Sequence, residues 1–403
     1  MRVQIGFDLS ANGVGNYFTL DDATKGVLDN ATYKLGGTVL VDVTNDVRKI
    51  SIRRGRSRAL EKFTAGNATI VLDNMTNTGS KYDPTNTSSG YYGSIVPGKQ
   101  IVIDHLNTQL YDGNVADWNF SYDVNGDATA EPSCVDGLTF LAQQTLSLGT
   151  ATSQLSGARV SAILDQTGWP AAQRSIATGQ ATLDADVIPD GTNALAYLEK
   201  VADVSEPGAL FVNRLGQVTF KDRSQLQSFS TGTSFGGSVG IPYVGCEVVY
   251  GIEEMANSVQ VTYTAGTVIG GTAIVDDATS QAAYGVIDKR YDTVLSTSTQ
   301  ALALANWQAS LYSQPRYRVD SIAVNLTGLT SDQATQVLQL ELGDVVSVTP
   351  PNASAAQIVA VDGIEHDADP GRHMVTFRMS ETTAAFILDD AQFGTLDNNS
   401  LGF

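Results

Sequence analysis

The sequence predicts an α+β protein that is mainly β, with two similar β domains, a helix-rich insertion between them and extended arms at both ends. Three observations carry this. Hydrophobic residues make up 42% of the 403 and charged residues only 17%, with Gly, Thr, Ser, Asn and Asp crowding the spaces between short apolar runs. That composition suits turn-rich β structure better than long amphipathic helices. Next, Pro97 to Trp118 (PGKQIVID, then LYDGNVADW) is echoed by Leu342 to Asp367 (LGDVVSVT, then VAVDGIEHD). Each copy sets a glycine and a polar residue before a Val/Ile strand, then a second strand that runs through Asp-Gly. Between the echoes, the apolar residues switch to helical spacing.

Residues 1–37 read as an extended arm rich in Gly, Asp, Asn and Thr. The arm holds FTLDDATKGVLDN, Phe18 to Asn30, which returns near the other end as FILDDAQFGTLDN, Phe386 to Asn398, with nine of thirteen positions identical. Each copy offers an aromatic and a leucine, a pair of aspartates, a glycine able to turn left-handed, and Leu-Asp-Asn. A peptide this short does not fold alone, so both copies are expected to be straps that dock on grooves of a larger body. The strap residues are Phe18, Leu20, Asp21, Asp22, Gly26, Leu28 and Asp29, then Phe386, Leu388, Asp389, Asp390, Gly394, Leu396 and Asp397. The plainer alternative is two similar strand-and-turn ends lying side by side in one sheet.

A first β domain is expected over 38–130. Val39, Val41 and Val43, then Ile50 and Ile52, alternate with polar residues as a half-buried strand requires. Ala68 to Leu72, Gln100 to Ile103 and Gln109 to Val115 supply further strands, and Asp83-Pro84 and Pro97-Gly98 interrupt regular structure. A helix-rich domain follows over 131–235, from apolar residues at helical period in SCVDGLTFLAQQTLSL, ARVSAILDQTG and TNALAYLEKVADV. It ends in a hairpin, ALFVNRLGQVTFKDR, turning at Asn213 to Gly216, and a Ser/Gly/Thr-rich boundary. The second β domain is placed at 236–382, with helices around Leu302 to Leu311 and Ser331 to Leu338 and a clean strand at Ser321 to Leu326; the C-terminal strap segment is 383–403.

The formal net charge of −19 argues against nucleic acid as a ligand of the surface as a whole, because phosphate binding is driven by Lys and Arg. Against that background Arg48, Lys49, Arg53, Arg54, Arg56, Arg58 and Lys62 gather seven of the 24 basic residues within fifteen positions. Such a loop repels itself unless an anion faces it: carboxylates of a neighbouring subunit, another protein, or DNA. A protein partner is favoured over DNA, because one short loop makes few phosphate contacts. The plain alternative is a solvated hairpin with Gly55 at its tip.

GIEHDADPGRH invites a metal reading through Glu365, His366, Asp367, Asp369 and His373. Asp369-Pro370-Gly371 reads as a turn, however, so the two histidines are expected on a hairpin and neither a metal nor a cofactor is expected. Cys134 and Cys246 exclude a disulfide framework and read as reduced core thiols. No Walker loop, dinucleotide fingerprint, nucleophile elbow or zinc spacing is present. Trp118, Trp169 and Trp307 suit core or interface positions better than sugar stacking. With no signal segment and no long apolar run, the chain is expected to be soluble and made in a cytoplasm.

The stretch from Asp42 to Asn74, followed by YDPTNTSSGYYGSIVPGKQIVI and LYDGNV, resembles the N-terminal part of minor tail proteins of long-tailed phages infecting actinobacteria. The hairpin Ala209 to Arg223 and the terminal LDD...G.LD...LG pattern extend the resemblance over most of the chain. It implies a baseplate hub: a non-enzymatic homotrimer at the tail tip, each subunit giving two β-barrel tube domains to a ring on the sixfold tube. The implied partners are a distal tail ring above, the C-terminal end of the tape measure protein inside, tip, fibre or receptor-binding proteins below, and DNA only in transit through the bore. The implied location is the virion, after assembly in the bacterial cytoplasm. The alternatives are the distal ring itself, a hexamer with one tube domain per chain, or a tail-associated wall hydrolase or carbohydrate binder.

Overall fold

A computed structural model describes residues 1–7, 24, 39–75, 79–124, 126–227, 232–351, 353 and 355–382. Strand outweighs helix, so the protein is mainly β as its composition predicts. Two compact units divide the chain, and each takes several separate segments of it.

The first unit comprises Met1–Ile52, Asn67–Asp136 and His366–His373. Its strands are β1 (Arg2–Phe7), β2 (Val39–Asp42), β3 (Val47–Gly55, of which the first part lies here), β4 (Thr64–Asp73), β5 (Gln100–His105), β6 (Thr108–Tyr122) and β7 (Ala128–Val135). They follow the order β3-β4-β7-β6-β5-β1-β2. Period-two alternation decides which faces are buried. Val3, Ile5 and Phe7 point inward from β1, Ile50 and Ile52 from β3, Ala68, Ile70 and Leu72 from β4, and Ile101 and Ile103 from β5.

Three expectations need correction here. Val39 to Ile52 is not one strand: a 3-10 turn at Thr44–Asp46 separates β2 from β3, and the Thr44 hydroxyl accepts the Val3 amide. Nor do the described residues form a closed barrel, because β2 and β3 are joined through that bent corner and not by a ladder. A helix expected from Ser133 starts later. ATAEPSCV alternates buried and half-buried along β7, and this period-two pattern takes Cys134 into the ladder opposite Ala68 and Val115.

The second unit comprises Arg53–Gly66, Gly137–Glu365 and Met374–Phe403. Helices α1 (Gly137–Ala142), α2 (Ser156–Gln166) and α3 (Ala194–Glu199) begin its middle part, and α3 runs on as a π turn, Lys200–Ser205. Val160, Ile163 and Leu164 form the buried stripe of α2, and the Asn193 side chain caps α3 by accepting the Ala196 amide. The hairpin pairs Ala209–Val212 with Val218–Lys221 as expected, and its Gly216 has a φ of 78°. One apolar core joins these elements to the strand Ser258–Ala265 and the helix Ser298–Tyr312. The helix expected near Ser331 is there, Ser331–Gln339, with Thr330 and Gln333 forming a capping box. Arg318–Asn325 pairs antiparallel with Gly245–Val249, which holds the half-buried Cys246, and with the strand through Met374–Arg378.

Candidate functional site

The basic run lies on the end of β3 and the turn after it. Alternation along VRKISIRRG turns Lys49, Ser51 and Arg53 outward and Ile50, Ile52 and Arg54 inward. Gly55 is therefore buried in the strand and not at a hairpin tip. Its φ is +95°, and an added Cβ would lie 2.1 Å from the Asp362 carbonyl oxygen, a place only glycine fills without strain.

Each of the seven basic residues meets a carboxylate of this chain. In the first unit Arg48 pairs with Asp127 at 2.6 Å and Lys49 with Asp367 at 3.3 Å. In the second, Arg53 pairs with Glu365 at 3.5 Å, Arg54 with Glu341 at 2.6 Å, Arg56 with Asp362 at 2.9 Å, Arg58 with Glu253 at 3.2 Å and Lys62 with Glu199 at 2.7 Å. Exposure splits the set. The side chains of Lys49, Arg53, Arg58 and Lys62 are more than half exposed, while that of Arg54 is 3% exposed. Exposed pairs are worth at most about 1 kcal/mol, so the outer four leave their charge available to another molecule. The inner pair is structural. Burial alone would push the Glu341 carboxyl up, but Arg54 and the amides of Arg214 and Leu342 outweigh it and hold that carboxyl below its ordinary range.

A cleft in the second unit opens beside Arg56. Phe63, Tyr291, Trp307 and Leu311 give it an apolar wall, and Asp203 lies in it. One Asp203 oxygen accepts the Leu210 amide at 3.0 Å; the other is buried without a hydrogen-bond partner. Burial pushes the Asp203 carboxyl up to about 7, against the opposing pull of Arg56. A carboxyl with a raised folded pKa holds its proton more tightly in the native state than in the unfolded one. Its effect is therefore to lower stability as pH rises from about 4 to about 7. Asp203→Asn keeps the acceptor for Leu210 and is expected to gain on the order of 2 kcal/mol at pH 8 and little at pH 4.5. Urea unfolding at both pH values checks this; equal changes at the two would contradict it.

The hairpin predicted from Asp369-Pro370-Gly371 connects strands Gln357–Asp369 and Arg372–Glu381. Across it the His366 and His373 rings approach to 3.1 Å between Nδ1 and Nε2. His105, at the end of β5, meets His373 edge to face at 5.1 Å between ring centroids. All three histidines of the chain thus gather in the first unit, which sequence spacing did not reveal. The neighbouring acids turn elsewhere: Glu365 to Arg53, Asp367 to Lys49, and an Asp369 oxygen to the Gly371 amide. Among the described residues no three His, Cys, Asp or Glu side chains are placed to hold a metal ion.

Burial first, then His105 and the N-terminal amine, push His373 down to about 3. Burial likewise lowers His105, whose neighbour Asp104 pulls the other way and is itself paired with Arg2 at 2.8 Å. Groups with lowered folded pKa bind protons better when unfolded, so they cost stability as pH falls below about 6.5. His373→Phe is expected to move the midpoint of acid unfolding to lower pH by several tenths of a unit. An unchanged midpoint would contradict the assignment.

The strap residues named above, from Phe18 to Asp29 and from Phe386 to Asp397, lie outside the described residues. Trp118 belongs to an aromatic stack with Tyr82 and Phe120, and Trp169 and Trp307 pack against the core of the second unit. No helix among the described residues is long and apolar enough to cross a membrane.

No protein-family model matches the chain, and no curated protein matches it. Solved structures do. The fold is similar to that of the 43 kDa tail protein of prophage MuSo2 from Shewanella oneidensis, at 14% identity and a TM-score of 0.56, covering 86% of this chain and 96% of that one. A tail protein from Neisseria meningitidis MC58 is 12% identical with a TM-score of 0.56, covering 87% and 95%. A prophage tail protein from Listeria monocytogenes EGD-e is 8% identical with a TM-score of 0.51, covering 94% of each chain. At these identities the likeness is one of fold.

Proposed function

We propose that the chain is a structural protein of a phage tail, and specifically the trimeric hub at the tail tip of a long-tailed phage of actinobacteria. The observation that supports the tail role is the likeness of fold to three tail proteins over most of each chain; the hub and its host rest on the resemblance of sequence given above. The echoed stretches, read as an internal duplication, support the trimer. The two echoed stretches both fold as antiparallel strand pairs, Gln100–His105 with Thr108–Tyr122 and Val345–Val348 with Gln357–Asp369. Two like domains per chain let three subunits match a sixfold tube. The proposed domain scheme is an arm at 1–37, except that Arg2–Phe7 joins the sheet of the first β unit, then a first tube domain at 38–130, an insertion at 131–235, a second tube domain at 236–382 and a strap at 383–403.

In this reading the hub joins a distal tail ring to tip or fibre proteins, meets the end of the tape measure inside, and lets DNA pass. A net charge of −19 suits a wall that DNA slides along instead of adhering to. The exposed Lys49, Arg53, Arg58 and Lys62 are the outward part of the basic run and contact an acidic protein partner, whereas Arg54 and Arg56 hold the subunit together. The role is mechanical, with interfaces that shift on receptor engagement. Sedimentation equilibrium of the purified chain tests the trimer: about three times 42.6 kDa is expected, and a hexamer would favour the distal ring.

A further inference from the structure

We propose that the cleft beside Arg56, which lies wholly within the second unit, is a binding site for a small aliphatic amine cation of the size and charge of a four-carbon diamine. Charge balance is the first argument. The cations of the cleft are committed: Arg56 to Asp362 at 2.9 Å, Lys62 to Glu199 at 2.7 Å and Arg223 to Glu206 at 3.8 Å. Glu381, on the wall, is held by Arg316 at 2.7 Å. That leaves Glu61 and Asp203 as the lining carboxylates outside any ion pair among the described residues. A partly buried site with uncompensated carboxylates favours a cation.

Unsatisfied acceptors are the second and independent argument. Gln308 is neutral and only 8% exposed, and its Oε1 is buried without a hydrogen-bond partner. The same is true of Asp362 Oδ2, on a residue 2% exposed, and of Asp203 Oδ2 and Glu381 Oε2. All four residues line the cleft. Native proteins leave few such atoms, so four acceptors around one cavity mark a place for donors. An ammonium group brings three N–H donors and no acceptor. A metal ion fits less well, because no three His, Cys, Asp or Glu side chains among the described residues are placed to hold one.

Size and walls agree. The cavity measures about 130 Å³, and one of about 150 Å³ accommodates benzene. Butane-1,4-diamine has as many heavy atoms as benzene, its two charges match the two open carboxylates, and Tyr291, Trp307 and Leu311 offer an apolar wall to its methylenes. Asp203 gives the site its pH dependence. Burial raises its carboxyl to about 7, Arg56, the Leu210 amide and Lys62 pull it down, and Glu199 pushes it up. A bound ammonium stabilises the ionised form and removes the stability that this carboxylate costs above neutral pH.

The test is isothermal titration of butane-1,4-diamine into the full-length chain at pH 8, with butane-1,4-diol as the neutral probe of the same length. A saturable isotherm with a dissociation constant at or below about 1 mM is expected for the diamine, and none for the diol. Asp203→Asn, expected above to be more stable than wild type at this pH, is expected to weaken binding by about tenfold or more. Asp288→Asn, which alters an exposed carboxylate outside the cleft, is expected to leave affinity within about twofold. Lowering the pH from 8 to 6 protonates Asp203 and not the amine, so wild-type affinity is expected to fall by about tenfold while that of Asp203→Asn holds. No saturable binding, or diol binding equal to that of the diamine, would overturn the site. Equal affinities in Asp203→Asn and Asp288→Asn would also overturn it, leaving only attraction to a chain of net charge −19.

Discussion

Replacing Arg54 with alanine is expected to cost about 3–5 kcal/mol of folding stability at pH 7, although Arg53→Ala next to it costs less than about 1 kcal/mol. The two residues carry the same charge on one strand and differ in which way they point. Arg54 is buried and gives Glu341 a 2.6 Å ion pair. Removing it leaves a buried carboxylate whose remaining partners, the amides of Arg214 and Leu342, compensate only part of its desolvation. Arg53 faces solvent and meets Glu365 at 3.5 Å. The pH dependence has a definite sign. The folded pKa of Glu341 is depressed, so the pair's contribution is present above the unfolded value, about 4.3, and is lost as pH falls through the folded one. In Arg54→Ala the stranded carboxylate takes up a proton more readily, and the deficit relative to wild type therefore shrinks toward pH 4. Denaturant midpoints for both variants at pH 7 and pH 4.5 decide the matter. Equal effects of Arg53→Ala and Arg54→Ala would show that burial does not separate these arginines.

Deleting residues 386–403 is expected to leave a folded subunit and to lower its incorporation into particles by tenfold or more. The described core cluster of the second unit is built from residues between Ala59 and Tyr312, and the main unfolding transition is expected to stay within about 1 kcal/mol of wild type, the usual range for changes away from the core. The near-identity of the two straps, nine of thirteen positions, is hard to explain by the needs of one subunit's fold, and it suits two equivalent docking events in an assembly. Quantitative mass spectrometry of purified particles, with the truncated chain supplied in place of the full one, reads the outcome. Normal incorporation would remove the straps from any account of assembly.

The elements written most plainly in the sequence are those decided locally. Ser298–Tyr312, the hairpin about Asn213 to Gly216 and the turn at Asp369-Pro370-Gly371 follow from nearby turn residues and apolar spacing. Where two periodicities overlapped, the shorter-range choice failed: the apolar residues after Ser133 suggested a helix, but the alternation before them carried β7 through Cys134 to Val135. The Thr-Asn-Asp sequence that breaks Val39 to Ile52 was a legible turn signal, outweighed by the valines around it. Barrel closure depends on whether sheet edges meet, which no local pattern records.

The site was less legible for the same reason. Seven clustered basic residues were obvious, yet what separates Arg54 from Arg53 is a carboxylate 287 positions away. His105 joins the other histidines from a strand more than 200 residues upstream of them, and nothing in its surroundings of Asp104 and Leu106 announces the meeting. Asp203 sits in a helical segment of ordinary composition, and only the fold shows that one of its oxygens is buried without a partner.

The central claim is the place of this chain in the tail, and a map of the tail tip reconstructed without imposed symmetry tests it most directly. The account predicts three copies on the axis, each giving two like β domains to one ring. Six copies with one such domain each, or copies off the axis, would contradict it.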